Sequence, residues 1–125
     1  MNVDWNSGLF THLGMKFVEI EKERVVATLE VKPELMTMTG TVHGGTLMAF
    51  ADTTGAAGTV ANLAEGQSTA TLESKTNFFA PCRSGTIRAE ATPVHRGKRT
   101  HVWQTRITDD SGRLLSLTIQ TQMIL

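Results

Sequence analysis

The sequence predicts an α+β fold in which a curved antiparallel sheet wraps around one long central helix. Apolar and polar residues alternate with period two between residues 14 and 31 and again after Gly66, as in strands with one covered face. From about Val42 to Leu63 that alternation is absent, and small apolar residues stand on nearly every side. The order is therefore two strands, one helix and four strands.

Met15, Phe17, Val18 and Ile20 mark the first strand, and Val25, Ala27, Leu29 and Val31 the second, with Glu21-Lys22-Glu23 as the turn between them. Pro33 ends the second strand because it has no N–H to give to a ladder. A loop rich in Met, Thr and Gly, from Met36 to Gly40, leads into the helix. That helix carries Ala49, Ala51, Gly55, Ala57, Gly58 and Ala61. Each helical glycine costs about 1 kcal/mol relative to alanine. Close packing on more than one side must offset this, against the sheet and, in so short a chain, against a partner. In the next strand Thr69, Thr71, Glu73, Lys75 and Asn77 alternate with Ala70, Leu72, Ser74, Thr76 and Phe78, as far as Pro81. Ile87, Ala89 and Ala91 define the fourth strand, and Trp103, Thr105 and Ile107 one face of the fifth. Asp109-Asp110-Ser111-Gly112 is a tight-turn signal. The last strand, Leu114 to Ile124, is expected to offer Leu115, Leu117 and Ile119 to one face.

The 125 residues make one domain, 1–125, of which 40% are apolar and 19% charged. No apolar run approaches the roughly 20 residues of a membrane span, and the N-terminus lacks the features of a signal peptide. The single cysteine, Cys82, forms no intrachain disulfide and fits a reducing cytoplasm. Net charge is zero, but residues 1–62 hold 4 basic against 7 acidic side chains, and residues 63–125 hold 8 against 5. The basic half contains Arg96-Gly97-Lys98-Arg99. Without interleaved aromatics this run argues against nucleic acid. Two readings stay open for it, a solvated hairpin and a contact for the phosphates of a nucleotide.

Most of the chemistry lies in Gly40-Thr41-Val42-His43-Gly44-Gly45-Thr46 and in Asp52, a lone carboxylate among Ala, Phe, Thr and Gly. Adjacent glycines at a helix start leave N–H groups open to a ligand, and an acid in apolar surroundings is costly unless paired or used. A donor and an acid suit chemistry on a carbonyl. The Gly44 N–H would stabilise an oxyanion, while Asp52 would attack the carbonyl or activate a water. So sparse a site suits a thioester better than an amide. Gly44 and Asp52 stand eight residues apart, about 12 Å along one helix. One carbonyl cannot lie roughly 3 Å from both. Either the two are unrelated, or the site joins Gly44 of one chain to Asp52 of another across a two-fold axis.

Gly-Thr-Val-His-Gly-Gly, the Asp nine residues after the His, Asn77-Phe78-Phe79-Ala80-Pro81 and Val94-His95-Arg96-Gly97-Lys98-Arg99 together closely resemble the hotdog-fold acyl-CoA thioesterases of the PaaI type, from about Leu13 to the C-terminus. The resemblance implies a six-stranded sheet around one helix, homodimers that commonly pair into tetramers, and hydrolysis of a coenzyme A thioester at the dimer interface. Coenzyme A is then part of the substrate, and no separate cofactor is needed. By the same resemblance Asp52 of one subunit and the Gly44 N–H of the other are catalytic, and Thr71 on the following strand lies near the reacting water. Gly97-Lys98-Arg99-Thr100 falls toward the nucleotide or pantetheine end of the cofactor. Relatives often carry Asn or Gln six residues before the His; Thr37 stands there in this chain, a departure from the pattern.

His43 is a possible base, but its place at a helix start favours a structural hydrogen bond. Gly45 serves close packing or binding. Phe78, Phe79 and Trp103 are core or acyl-pocket residues, and the sequence does not separate the two. The methionines of the loop Met36–Thr39 are expected in the pocket wall. His95 and His101 flank a hairpin without a third ligand, so no metal site is expected. Cys82 has no base beside it. The acyl group is expected to be aromatic or medium-chain. The alternative function is a non-hydrolytic acyl-CoA binding or sensing module. A hydratase is disfavoured because no histidine follows Asp52 on the helix.

Overall fold

The computed structural model describes residues 1–125. Its elements are α1 (Gly8–Leu13), β1 (Lys16–Ile20), β2 (Val25–Glu30), a 3-10 turn (Pro33–Leu35), α2 (Gly44–Asn62), β3 (Thr69–Phe78), β4 (Thr86–Arg96), β5 (Thr100–Thr108) and β6 (Leu114–Ile124). The strands form one antiparallel sheet in the order β1-β2-β4-β5-β6-β3, and α2 packs against all six. This is the hotdog arrangement. No helix is long and apolar enough to cross a membrane.

The six strands fall where period-two alternation places them, and α2 fills the small-residue stretch where that alternation is absent. The short α1 is an addition, six residues long and so below the length at which a helical period can be read. It ends at Gly14, which takes φ 83°. Its Phe10 stacks on Phe17 of β1, and Trp5 meets both rings edge-on.

The main core joins Leu47, Phe50 and Ala51 of α2 to Leu29, Ile87 and Ile107 of the sheet. A smaller cluster places Trp103 against Val25, Ala57 and Ala91. Gly58 makes this possible, because a Cβ there would lie 2.6 Å from the Trp103 ring. Trp103 is thus core, whereas Phe78 and Phe79 are 51% and 57% exposed.

Two β-bulges correct the expected facings. In β3 the extra residue is Leu72, between the pairs Thr71–Gln122 and Glu73–Thr121, so the inward set changes from Thr69 and Thr71 to Ser74 and Thr76. In β6 the extra residue is Leu115, between the pairs Thr108–Leu114 and Ile107–Ser116. Leu115 is buried, but Leu117 and Ile119 then lie on the face opposite to the inward Ser116, Thr118, Gln120 and Gln122. Leu115, Leu117 and Ile119 therefore do not share a buried face.

The burial of α2 is one-sided in the single chain. Leu47, Phe50, Thr54, Ala57 and Gly58 are covered by the sheet, while Met48, Asp52, Ala56 and Val60 remain partly open. Beside that open side runs β3, an edge strand exposed over most of its length.

Candidate active site

His43 is the N-cap of α2. Its backbone is extended (φ −63°, ψ 137°), and its Nδ1 accepts the Gly45 N–H at 2.7 Å. The ring is therefore committed to the helix start and positions its neighbours. Gly45 is a glycine for the same reason, since a Cβ there would lie 2.9 Å from the His43 Nδ1. The His43 carbonyl takes the N–H groups of Thr46 and Leu47. The Gly44 N–H has no acceptor in the chain. Of the donors at this positive helix end, it is the one left for a ligand.

Gly44 opens into an apolar groove of about 390 Å³ whose walls include Thr37, Val42, Leu47, Phe78 and Phe79. The edge of the Phe78 ring lies where a side chain on Gly44 would go, 3.1 Å from its ideal Cβ. Thr37 is tied into its own loop: its N–H donates to the Thr41 carbonyl at 2.7 Å, and its hydroxyl sits 2.8 Å from that of Thr39. The expected methionine wall is absent. Met38 points fully into solvent, and Met36, bridged to Val42, is not itself part of the groove lining. The loop is held by threonine hydroxyls and turns its polar side to the groove.

Asp52 lies two turns along α2 on the open side, half-buried. The Thr71 hydroxyl donates to its Oδ1 at 3.1 Å, and the Gln120 Nε2 donates to the same oxygen at 3.2 Å. Oδ2 accepts no hydrogen bond from the chain. Thr71 also lies 2.5 Å from the Gln122 Oε1, and Gln120 donates to that oxygen at 3.1 Å. The bulge at Leu72 keeps Thr71 aimed at the helix while the rest of β3 turns over.

Asp52 and Thr71 are thus brought together, as are Gly44, Thr37 and Phe78. Lys98, Arg99 and Thr100 are not beside them. Lys98 and Arg99 lie in the β4–β5 turn and Thr100 opens β5; Lys98 shares a hollow with Asn62, Gln67 and His101 at the C-terminal end of α2. Asn62 is ten residues beyond Asp52, about 15 Å along the axis. His101 is buried there, its Nδ1 3.2 Å from the Thr59 hydroxyl, which accepts from the Trp103 indole N–H at 2.9 Å. Burial pushes the His101 imidazole below its ordinary pKa, and the nearby Arg96 and His95 add to the shift. Cys82 is buried, with its Sγ 3.3 Å from the Ser84 carbonyl and no base beside it.

Gln120 and Gln122 escape a reading of the sequence. They stand in a strand whose Leu and Ile residues suggest the opposite inward face, and nothing in the sequence marks the bulge that reverses it.

A six-stranded sheet wrapped on one helix defines the hotdog class of proteins, and the free N–H at the helix start and the hydrogen-bonded carboxylate on its open side are its candidate reactive groups here. Residues 39–116 match the family model of the thioesterase superfamily, and the chain belongs to it. It is 31% identical over 110 residues to the 1,4-dihydroxy-2-naphthoyl-CoA hydrolase of Listeria monocytogenes, covering 88% of this chain and 89% of that protein. It is 34% identical over 109 residues to the Mycobacterium tuberculosis protein Rv1847, covering 85% of this chain and 78% of that protein. The crystal structure of thioesterase HI1161 from Haemophilus influenzae superposes with a TM-score of 0.93 at 29% identity, over 97% of this chain and 85% of that one. The chain is a thioester hydrolase.

Proposed function

We propose that the chain hydrolyses acyl-CoA thioesters at a site assembled from two copies of itself, with the Gly44 N–H from one and Asp52 from the other. One observation carries this reading. Gly44, with its free N–H, and Asp52, with its free Oδ2, are eight residues apart on α2, so their backbones lie about 12 Å apart along its axis, while a reacting carbonyl needs both groups within about 3 Å. The open side of α2 and the exposed edge of β3 supply a surface for a second copy. A two-fold axis across it would generate two equal sites, and the resemblance extends this to a dimer of dimers.

In such a site the Gly44 N–H, at the positive end of α2, polarises the thioester carbonyl and holds the oxyanion. The Asp52 Oδ2 attacks the carbonyl carbon, or takes a proton from a water that does so. In the general-base route the tetrahedral adduct collapses, the C–S bond breaks, and the thiolate of coenzyme A leaves and takes up the proton held by Asp52. In the nucleophilic route the same bond breakage leaves an acyl–Asp52 anhydride. A water then cleaves it to the free acid and the Asp52 carboxylate and gives the released proton to the thiolate. No further cofactor enters. Thr71, hydrogen-bonded to Oδ1, stands next to the reacting water. The groove beside Gly44, walled by Phe78 and Phe79, takes an aromatic or medium-chain acyl group, and the aromatic acyl group named for the Listeria relative supports the aromatic choice. Lys98, Arg99 and Thr100 extend the site toward the cofactor phosphates.

Release of free thiol from a panel of acyl-CoA thioesters tests the reading. Asp52→Asn is expected to lower kcat by about three orders of magnitude with little change in KM. Unchanged turnover would remove Asp52 from the mechanism, and absence of thiol release across the panel would return the chain to a binding module.

A further inference from the structure

We infer that Gln120 is a positioning residue for Asp52, which rests on the reading of Asp52 as the reacting acid. Gln120 and Gln122 are both fully buried on β6, where they face the helix. The direction of every hydrogen bond between them follows from one fixed end. The Thr69 hydroxyl gives its single proton to the Met123 carbonyl at 2.8 Å, so it accepts from the Gln122 Nε2 at 3.1 Å. The amide of Gln122 is thereby oriented, and its Oε1 faces Thr71 and Gln120.

The Gln120 Nε2 is surrounded by acceptors: the Gln122 Oε1 at 3.1 Å, the Asp52 backbone carbonyl at 3.2 Å and the Asp52 Oδ1 at 3.2 Å. The donor end of this amide is therefore turned toward Asp52 by the chemistry of its neighbours. By bonding both the carbonyl and the carboxylate of one residue, it fixes the Asp52 side chain against its own backbone. Oδ1 is occupied by Gln120 and Thr71, and Oδ2 is left without a hydrogen bond from the chain.

The opposite end of the Gln120 amide has a different character. Its Oε1 is buried without any hydrogen-bond partner and lies against Gly55, where a Cβ would collide with it. A buried acceptor left unmade is destabilising, so Gln120 occupies its place for what the donor end does. Gly55, three residues after Asp52, is the glycine that admits it. Thr71 completes the arrangement with one proton and two acceptors, Asp52 Oδ1 and Gln122 Oε1. Its hydroxyl can turn between them as charge on the carboxylate changes during turnover.

The test compares steady-state kinetics and thermal midpoints of the full chain. Gln120→Met keeps the volume and removes the donor. It is expected to lower kcat about 100-fold, to leave KM within about twofold, and to keep the thermal midpoint at or above that of the parent. Gly55→Ala is expected to reproduce the fall in kcat by displacing Gln120. Placed on Gln120→Ala, where space is available, Gly55→Ala is expected to add nothing. If Gln120→Met retains kcat within about threefold while Asp52→Asn is inactive, the inference is overturned and the proposed function stands. Independent, multiplying effects of Gly55→Ala and Gln120→Ala would overturn it in the same way. Full activity of Asp52→Asn would overturn both readings together.

Discussion

The two halves of the sheet meet the same helix with opposite chemistry. Under β2 and β4 the inward residues are Val25, Ala27, Leu29, Ile87, Ala89 and Ala91, all buried and all hydrocarbon. Beyond the bulge at the buried Leu115, the inward residues of β6 are Ser116, Thr118, Gln120 and Gln122, equally buried and all polar. Four buried side-chain oxygens, those of Ser74, Thr105, Ser116 and Gln120, have no hydrogen-bond partner, and none of them lies on β2 or β4. An unsatisfied buried polar group costs about 1–3 kcal/mol, so the second half gives up stability that the first half supplies. What it gains is a polar floor beneath Asp52. The side of the molecule that carries the candidate site is therefore the one whose core is chemically inefficient.

The contrast breaks most visibly by truncation on either side. Ile87→Ala, in the apolar half, is expected to lower the unfolding free energy by about 2–5 kcal/mol in urea titrations while leaving kcat per folded molecule unchanged. Ser116→Ala, in the polar half, removes an oxygen that makes no hydrogen bond and is expected to be neutral or stabilising by up to about 1 kcal/mol. Equal destabilisation by the two would show that the halves are energetically alike.

A smaller effect sharpens the comparison at the C-terminal end of α2. There His101, depressed by burial, stays neutral when folded at pH values where the unfolded chain is protonated. The unfolded state then binds the extra proton, so this contribution to stability is complete above the ordinary value of about 6.5 and is lost as pH falls toward the lower folded value. His101→Gln is expected to flatten the fall of the urea midpoint between about pH 6.5 and pH 5. An unaltered slope would assign that dependence to other groups.

Much of the fold was legible because the strands carry a period of two over enough residues to be read, and α2 stands out as the long stretch of small apolar residues where that alternation stops. The candidate site was legible through chemistry rather than period: Gly44 beside a capping His43, and Asp52 as a lone carboxylate among small apolar residues. What the sequence concealed has a common physical origin. A bulge inserts one residue and turns over everything after it, and no residue type at Leu72 or Leu115 marks the insertion. The polar floor of Gln120 and Gln122 therefore read as the outer face of β6. The same limit hid the reason for Gly55 and Gly58, which are small because Gln120 and Trp103 come from across the sheet to meet them.

The central claim is that Gly44 and Asp52 act on one carbonyl from different copies of the chain. Asp52→Asn removes the acid, and Gly44→Pro removes the N–H while suiting the first residue of a helix and the extended backbone of His43 before it. Each variant alone is expected to be inactive. Unfolded together and refolded as a mixture, they are expected to recover about a quarter of wild-type turnover, because half of the pairs are mixed and each mixed pair holds one intact site of two. A mixture that exchanges subunits yet stays at the background of the single variants would contradict a site shared between two copies.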